Sequence, residues 1–274
     1  PADPRGPGED RDVRILWNEA TSGAPEMEPL WEMLQGYFPR VACPGTEVEL
    51  RHAAVSGNYI RSLYTELLNN RAVVETCIQA RDEGFDAMVL GCWADPLWEA
   101  REVMDVPVVG IGEAAMLLAT TLGVRFAVIT VAPGVIPTIE LDLRTYGLQE
   151  RAIVRPVRAL DPPSDAGMLL ESIEDPHRRL IPNLERVARE CIKDGAEVIV
   201  VGCGYYGPIL TLHDYNEIPG TGVPVVDCSA AGLKMAEILA DLYHSIGLHK
   251  STALYFRQPP AEVVERVRHA HGLA

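Results

Sequence analysis

Glu83-Gly84-Phe85-Asp86-Ala87-Met88-Val89-Leu90-Gly91-Cys92 and Asp194-Gly195-Ala196-Glu197-Val198-Ile199-Val200-Val201-Gly202-Cys203 are one passage written twice, 111 residues apart. Each opens on an acidic residue and a glycine, runs through four apolar residues and closes on Gly-Cys. A short unbroken apolar run bounded by turn residues reads as a parallel strand covered on both faces. The same offset relates Val13-Arg14 to Val124-Arg125, and Val-Pro-Val-Val recurs at Val106 and Val223, 117 residues apart. Three matches in the same order mark an internal duplication.

The rest of the pattern alternates strand and helix. Val13–Trp17, Val48–Leu50, Ala87–Leu90 and Val106–Val109 read as strands of the first half. Val124–Ile129, Ala152–Val157, Val198–Val201 and Val223–Val226 read as strands of the second. Helical apolar spacing covers 25–38, 59–81, 114–122, 136–146, 177–193 and 230–243, with Gly84, Gly147 and Gly195 as stops. Such alternation predicts an α/β fold of two pseudo-symmetric halves, each a parallel sheet with flanking helices, and a site in the cleft between them. Residues 1–12 are polar and rich in Pro and Gly and are expected to form a loose arm. The tail 249–274 is expected to serve packing or a subunit contact.

Bulk composition narrows the function. The 274 residues are 47% apolar and carry 24 basic against 39 acidic side chains, a formal charge of −15. That balance speaks against nucleic acid or an anionic membrane as partner, since both require clustered Lys and Arg. It says little about a small-molecule substrate, which is the expected partner, and a homo-oligomer is expected. No run approaches the length of a membrane span. The six cysteines include no C-x-x-C pair, so no structural metal site is expected. No secretory segment is visible, so reduced thiols in the cytoplasm are expected.

Two of those cysteines carry chemistry. In open parallel sheets ligands bind beyond the carboxyl ends of the strands, which is where Gly91-Cys92 and Gly202-Cys203 fall. If the halves face each other, each offers one thiol to opposite faces of a substrate. One thiolate then removes a proton from carbon while the other thiol delivers one to the opposite face. The base must be tuned downward from the ordinary cysteine value near ~8.5. Cys43, Cys77, Cys191 and Cys228 have no such pairing and are assigned to packing.

The blocks Gly91-Cys92-Trp93-Ala94-Asp95-Pro96, Val108-Val109-Gly110-Ile111-Gly112-Glu113-Ala114-Ala115, Gly202-Cys203-Gly204 and Gly222-Val223-Pro224-Val225-Val226-Asp227 resemble the cofactor-independent aspartate/glutamate racemase superfamily, in its hydantoin racemase branch. The likeness runs from about Val13 to about Leu242. It implies Cys92 and Cys203 as catalytic residues and no cofactor: neither pyridoxal phosphate, flavin nor metal. It also implies that the chain crosses to the second half after the Gly-Glu-Ala-Ala block and returns near Pro224. That gives a first domain of 13–115 plus 225–248 and a second of 116–224. The pattern departs from the family in the first loop, Trp17-Asn18-Glu19-Ala20-Thr21-Ser22, where Asn-Pro-Asn and then Thr or Ser is usual. The loop at Thr130 lacks the basic residue often found nearby. The second cysteine is followed by Gly204-Tyr205-Tyr206-Gly207, bulkier than usual.

Around the catalytic pair, the resemblance implies substrate-binding roles for Asn18, Thr21 and Thr130, and Gly204 joins this set. Trp93 and Tyr205 are read as an aromatic wall, for which Trp17, Trp98 and Tyr206 also qualify. Asp95 either orients groups near Cys92 or caps a helix. Glu113 sits at a helix start, where a carboxylate is favoured in any case. His213 is either an aid to proton exchange or a solvated loop histidine. The expected reaction is racemisation or epimerisation of a hydantoin-like or amino-acid-derived compound. The alternatives within the fold are a maleate isomerase-like enzyme with a nucleophilic cysteine and an arylmalonate decarboxylase-like enzyme with one cysteine. Outside enzymes, the alternative is a binding protein that has lost turnover.

Overall fold

The computed structural model describes residues 12–58, 60–93 and 95–273. The arm expected over 1–12 lies, apart from Asp12, outside the described residues.

Strands β1 (Val13–Glu19), β2 (Thr46–His52), β3 (Ala87–Leu90) and β4 (Val108–Gly110) form a parallel sheet in the order β2-β1-β3-β4. Strands β5 (Phe126–Thr130), β6 (Ala152–Ala159), β7 (Val198–Gly202), β8 (Glu217–Ile218) and β9 (Val223–Asp227) form the second, in the order β6-β5-β7-β9-β8. Among the described residues only the two-residue edge strand β8 runs antiparallel. Apart from that edge strand the orders match position for position, so the repeat in the letters is a repeat in topology. The two quoted strands, β3 and β7, hold corresponding interior places. All four residues of β3 and all five of β7 are buried, which is why neither shows polar alternation.

Helices α1 (Glu28–Val41), α2 (Leu63–Gln79), α3 (Leu97–Val103), α4 (Ile111–Leu122), α5 (Ile136–Thr145), α6 (Ala166–Glu174), α7 (Leu180–Lys193), α8 (Tyr206–Leu212), α9 (Cys228–Ile246) and α10 (Ala261–Ala270) cover the sheets. Capping chemistry moves several ends away from the apolar spacing. Helix α2 starts at Leu63 because Ser62 accepts the Thr65 N–H while the Thr65 hydroxyl accepts the Ser62 N–H. The expected start, Tyr59, lies outside the described residues. Helix α9 starts at Cys228, where the Asp227 carboxylate takes the N–H groups of Ser229 and Ala230, and stops at Gly247 with φ of 71°.

The chain re-enters the first half through that cap. Helix α9 lies on β3, β4 and β1 and packs along α4. Residues 225–227, grouped above with the first half, instead pair with β7 in the second sheet. The Asp227 cap, not Pro224, is the point of departure. Helix α4 contacts both β4 and β7 and thus lies between the sheets. The tail docks on the first half, with Arg268 of α10 paired to Glu75 of α2 at 2.7 Å and Phe256 edge-on to Trp98. Among the described residues no helix is long and apolar enough to cross a membrane.

One apolar core runs through both halves, from Ile15 and Trp17 through Val89 and Ile111 to Val128 and Val200. A smaller one, with Leu16, Met88 and Leu90, lies under α2 and α3. Strand parity sorts β1 between them: Ile15 and Trp17 face the shared core, Leu16 and Ala20 the smaller.

The two cysteine loops meet backbone to backbone. A Cβ placed on Gly204 would stand 2.1 Å from the Gly91 carbonyl oxygen. No side chain fits there, because a methyl carbon needs well over 3 Å. We predict that Gly204→Ala forces the loops apart, costing about 1–3 kcal/mol and most of the turnover. Thermal unfolding checks it: a variant melting within a degree of the parent would show that the loops do not abut.

Candidate active site

A cleft of about 490 Å³ lies between the carboxyl ends of the two sheets, and both Cys92 and Cys203 line it. Each is partly exposed, and all six cysteines are thiols rather than disulfides. The loop contact at Gly91 and Gly204 brings the two cysteines to one place. Thr21, Trp93, Gly204 and Tyr205 line the same space.

Each cysteine is held by its own loop. Asp95, partly buried, accepts the Cys92 N–H at 2.8 Å, and this bond fixes the turn after β3. Burial raises the Asp95 carboxyl well above its ordinary value, and the nearby Glu19 adds to the rise. Burial also raises the Cys203 thiol. The N–H groups of Tyr206 and Tyr205 and the Arg61 cation counter it, so a thiolate on Cys203 meets donors as it forms.

The Cys92 loop is pinned by Trp93. Its ring lies against Gly112 of α4, and its Nε1 donates to Asp142 of α5 at 3.1 Å. The Cys203 loop is pinned by Tyr205, whose hydroxyl lies 2.7 Å from the Thr21 hydroxyl. Tyr206 bonds Ser164 at 2.5 Å. Arg61, in the loop before α2, donates to the Ser164 carbonyl across the cleft. The lining also includes the apolar side chains of Met27, Leu30, Ile60, Val131, Val135 and Leu169.

Four residues expected at the site lie elsewhere. Asn18 is fully buried and faces α2, where its Nδ2 donates to the Val73 carbonyl at 2.9 Å and to Cys77 Sγ at 3.2 Å. Strand parity puts it on the face opposite the cleft. The Thr130 hydroxyl donates to the Gly202 carbonyl at 3.3 Å and is buried beneath the cleft floor. Glu113 is held in a two-armed ion pair by Arg101 of α3. His213 ends α8 and donates from Nε2 to the Ile173 carbonyl at 3.1 Å. Trp98 is half exposed on α3, away from the cleft, and Trp17 is core, its ring tilted against Phe38.

Glu19, treated above only as an alteration of the first loop, is a cleft residue. Its place was available from parity, since Trp17, Glu19 and Thr21 alternate along one face. Burial lifts its carboxyl to about 7, against hydrogen bonds from Trp17, Tyr205 and the N–H groups of Ala20 and Thr21. Arg61 and Ser164 are also cleft residues. Both lie in irregular loops, where no periodic signal marks them.

The chain belongs to the Asp/Glu/Hydantoin racemase family, whose model matches residues 30–236. It is an isomerase of the racemase kind. A hydantoin racemase of Pseudomonas sp. (strain NS671) is 35% identical over 187 residues, 67% of this chain and 70% of that relative. A hydantoin racemase of Rhizobium meliloti is 41% identical over 162 residues, 59% of this chain, and the match spans 63% of that relative's length. An allantoin racemase structure from Klebsiella pneumoniae is similar with a TM-score of 0.76 and 28% identity, covering 90% of this chain and 94% of that one.

Asp142 gives a stability test. Burial, then its acidic neighbours Glu66 and Glu113, lift its carboxyl to about 7, against the Trp93 bond. A raised carboxyl gives the fold its full support below the ordinary value near 4 and loses it as pH climbs through about 7. Asp142→Asn keeps an acceptor for Trp93 and removes the charge. We expect its melting temperature to fall less than the parent's between pH 5 and pH 8, the two differing in stability change by a few kcal/mol at most. Parallel melting curves would show that Asp142 does not carry the shift.

Proposed function

We propose that this chain racemises a neutral, hydantoin-like ring bearing an apolar group on its acidic carbon, with Cys92 and Cys203 as the two proton-transfer groups. One observation carries the reading: both thiols line a single cleft, on loops whose backbones touch.

The scheme balances with protons alone. A thiolate on one side takes the C–H proton and becomes S–H, leaving the electron pair on carbon, delocalised into the adjacent ring carbonyl. The S–H on the other side gives its proton to the opposite face and becomes the thiolate. The enzyme then stands ready for the mirror-image substrate. A ring carbonyl makes the C–H acidic enough for a thiolate, so no cofactor enters the scheme. The apolar lining of Met27, Leu30, Val131, Val135 and Leu169 suits the ring substituent. The polar groups Glu19, Thr21, Tyr205 and Arg61 suit its carbonyl and N–H edges. Asp95 and Trp93 act through Cys92, one on its N–H and one on its loop. The first domain then comprises 13–115 with α9, and the second the chain between. An arylmalonate decarboxylase-like reaction would need only one of the two thiols, and a maleate isomerase-like one would leave a covalent adduct on a nucleophilic cysteine.

In deuterium oxide, the wild-type enzyme should exchange the ring C–H and lose optical rotation together. Cys92→Ser and Cys203→Ser should each lose racemisation by more than a thousandfold. Each should still exchange the C–H of one enantiomer, and the two variants should exchange opposite hands. Racemisation surviving in the double variant, or one cysteine proving dispensable, would reject the two-thiol scheme.

A further inference from the structure

We infer that Glu19 determines specificity by reading the amide edge of a neutral ring through a protonated carboxyl. The inference rests on the ring-racemisation reading above. Three observations support it.

The first is position. Glu19 lines the cleft with Cys92 and Cys203 and is only 2% exposed. Its Oε2 lies 2.7 Å from where a Gly91 Cβ would stand. The carboxyl therefore rests on the backbone that presents Cys92, and glycine at 91 is what admits it.

The second is company. The donors to Glu19 are the Trp17 indole at 3.3 Å, the Tyr205 hydroxyl and the N–H groups of Ala20 and Thr21. All are neutral. The titratable groups around it are Asp95 and Cys92 from the loop after β3, and Tyr205 and Cys203 from the start of α8. Arg61 faces the cleft from the loop before α2, and Glu26 stands at its exposed rim. His52, the register partner of Glu19 on β2, turns its ring onto Trp31. A second acid, Asp95, lies close enough that a charge on Glu19 raises the Asp95 carboxyl.

The third is chemical complementarity. A protonated carboxyl offers one O–H donor and one C=O acceptor side by side. A ring –CO–NH– edge offers the matching acceptor and donor. A free amino-acid carboxylate offers acceptors only, so it can match the O–H of this pair but not the C=O. With burial holding the Glu19 carboxyl near 7, the donor is present below neutrality and lost above it. Only the protonated fraction binds the ring well, so apparent affinity falls with that fraction.

The test is calorimetric titration with a racemic hydantoin carrying one benzyl group on its C–H carbon, for which turnover makes no net change. Between pH 5.5 and 6.5 the wild-type Kd should be nearly constant. Between pH 7 and pH 8 it should weaken by about fivefold. Glu19→Gln supplies a donor and an acceptor at every pH, so its Kd should be flat across the range. Glu19→Ala should bind at least tenfold more weakly than wild type at pH 6. A wild-type Kd flat from pH 5.5 to 8, no measurable wild-type binding at pH 6, or wild-type affinity in Glu19→Ala would overturn the assignment. Deuterium exchange at the ring C–H reports separately on the racemisation reading. Exchange with pH-independent binding removes Glu19 alone, whereas pH-dependent binding without exchange removes the two-thiol chemistry alone.

Discussion

The touching of two backbones, Gly91 against Gly204, is the constraint on which the cleft depends. It brings the carboxyl ends of two separate sheets together with no side chain between them. Interiors are packed densely enough that an added methyl there has nowhere to go. Further bonds run between the halves around this contact. Tyr205 reaches Thr21, Tyr37 reaches Asp227, Trp93 reaches Asp142, and Thr138 reaches Glu66. Each hydrogen bond is worth roughly 1 kcal/mol net. Their value here is geometric, because they stop the two loops from turning relative to one another.

Electrostatics around the thiols follow from burial. Although the chain carries a formal charge of −15, the carboxyls around the two cysteine loops are pushed toward their neutral forms. Burial does this to Glu19, Asp95, Asp142 and Asp227 alike. A neutral acid beside a cysteine does not oppose a thiolate, whereas an ionised one would. An acidic protein can therefore host anionic sulfur where its own acids are buried.

The sequence made the central elements plain and their edges less so. Strands β3 and β7 were legible because both faces are covered, which leaves an unbroken apolar run between glycines. The pairing of Cys92 with Cys203 was legible because duplication places both at the same point of the same unit. Helix ends drifted wherever capping by Ser62 or Asp227, rather than apolar spacing, sets the first turn. Short helices such as α3, α6 and α8 contain too few turns to show a period. Asn18 was misplaced because loop resemblance was followed over strand parity. Parity alone sends Asn18 toward α2 and Glu19 toward the thiols. Arg61 and Ser164 come from irregular loops brought together by tertiary contact, which no local pattern records.

The doubled architecture has an evolutionary and kinetic side. Two identical subunits around one site would treat both hands of a substrate alike. In this single chain the halves have diverged: Glu19 and Thr21 belong to one, Tyr205 and Ser164 to the other. Each enantiomer thus meets a different environment, and their maximal rates and half-saturating concentrations are free to differ. The overall ratio is not free. Mirror-image compounds with one stereocentre have equal energies in water, so the equilibrium mixture is even whatever the protein does. Any advantage in speed for one hand must be matched by an equal weakening in its capture, a bookkeeping identity that no asymmetry in the protein can evade.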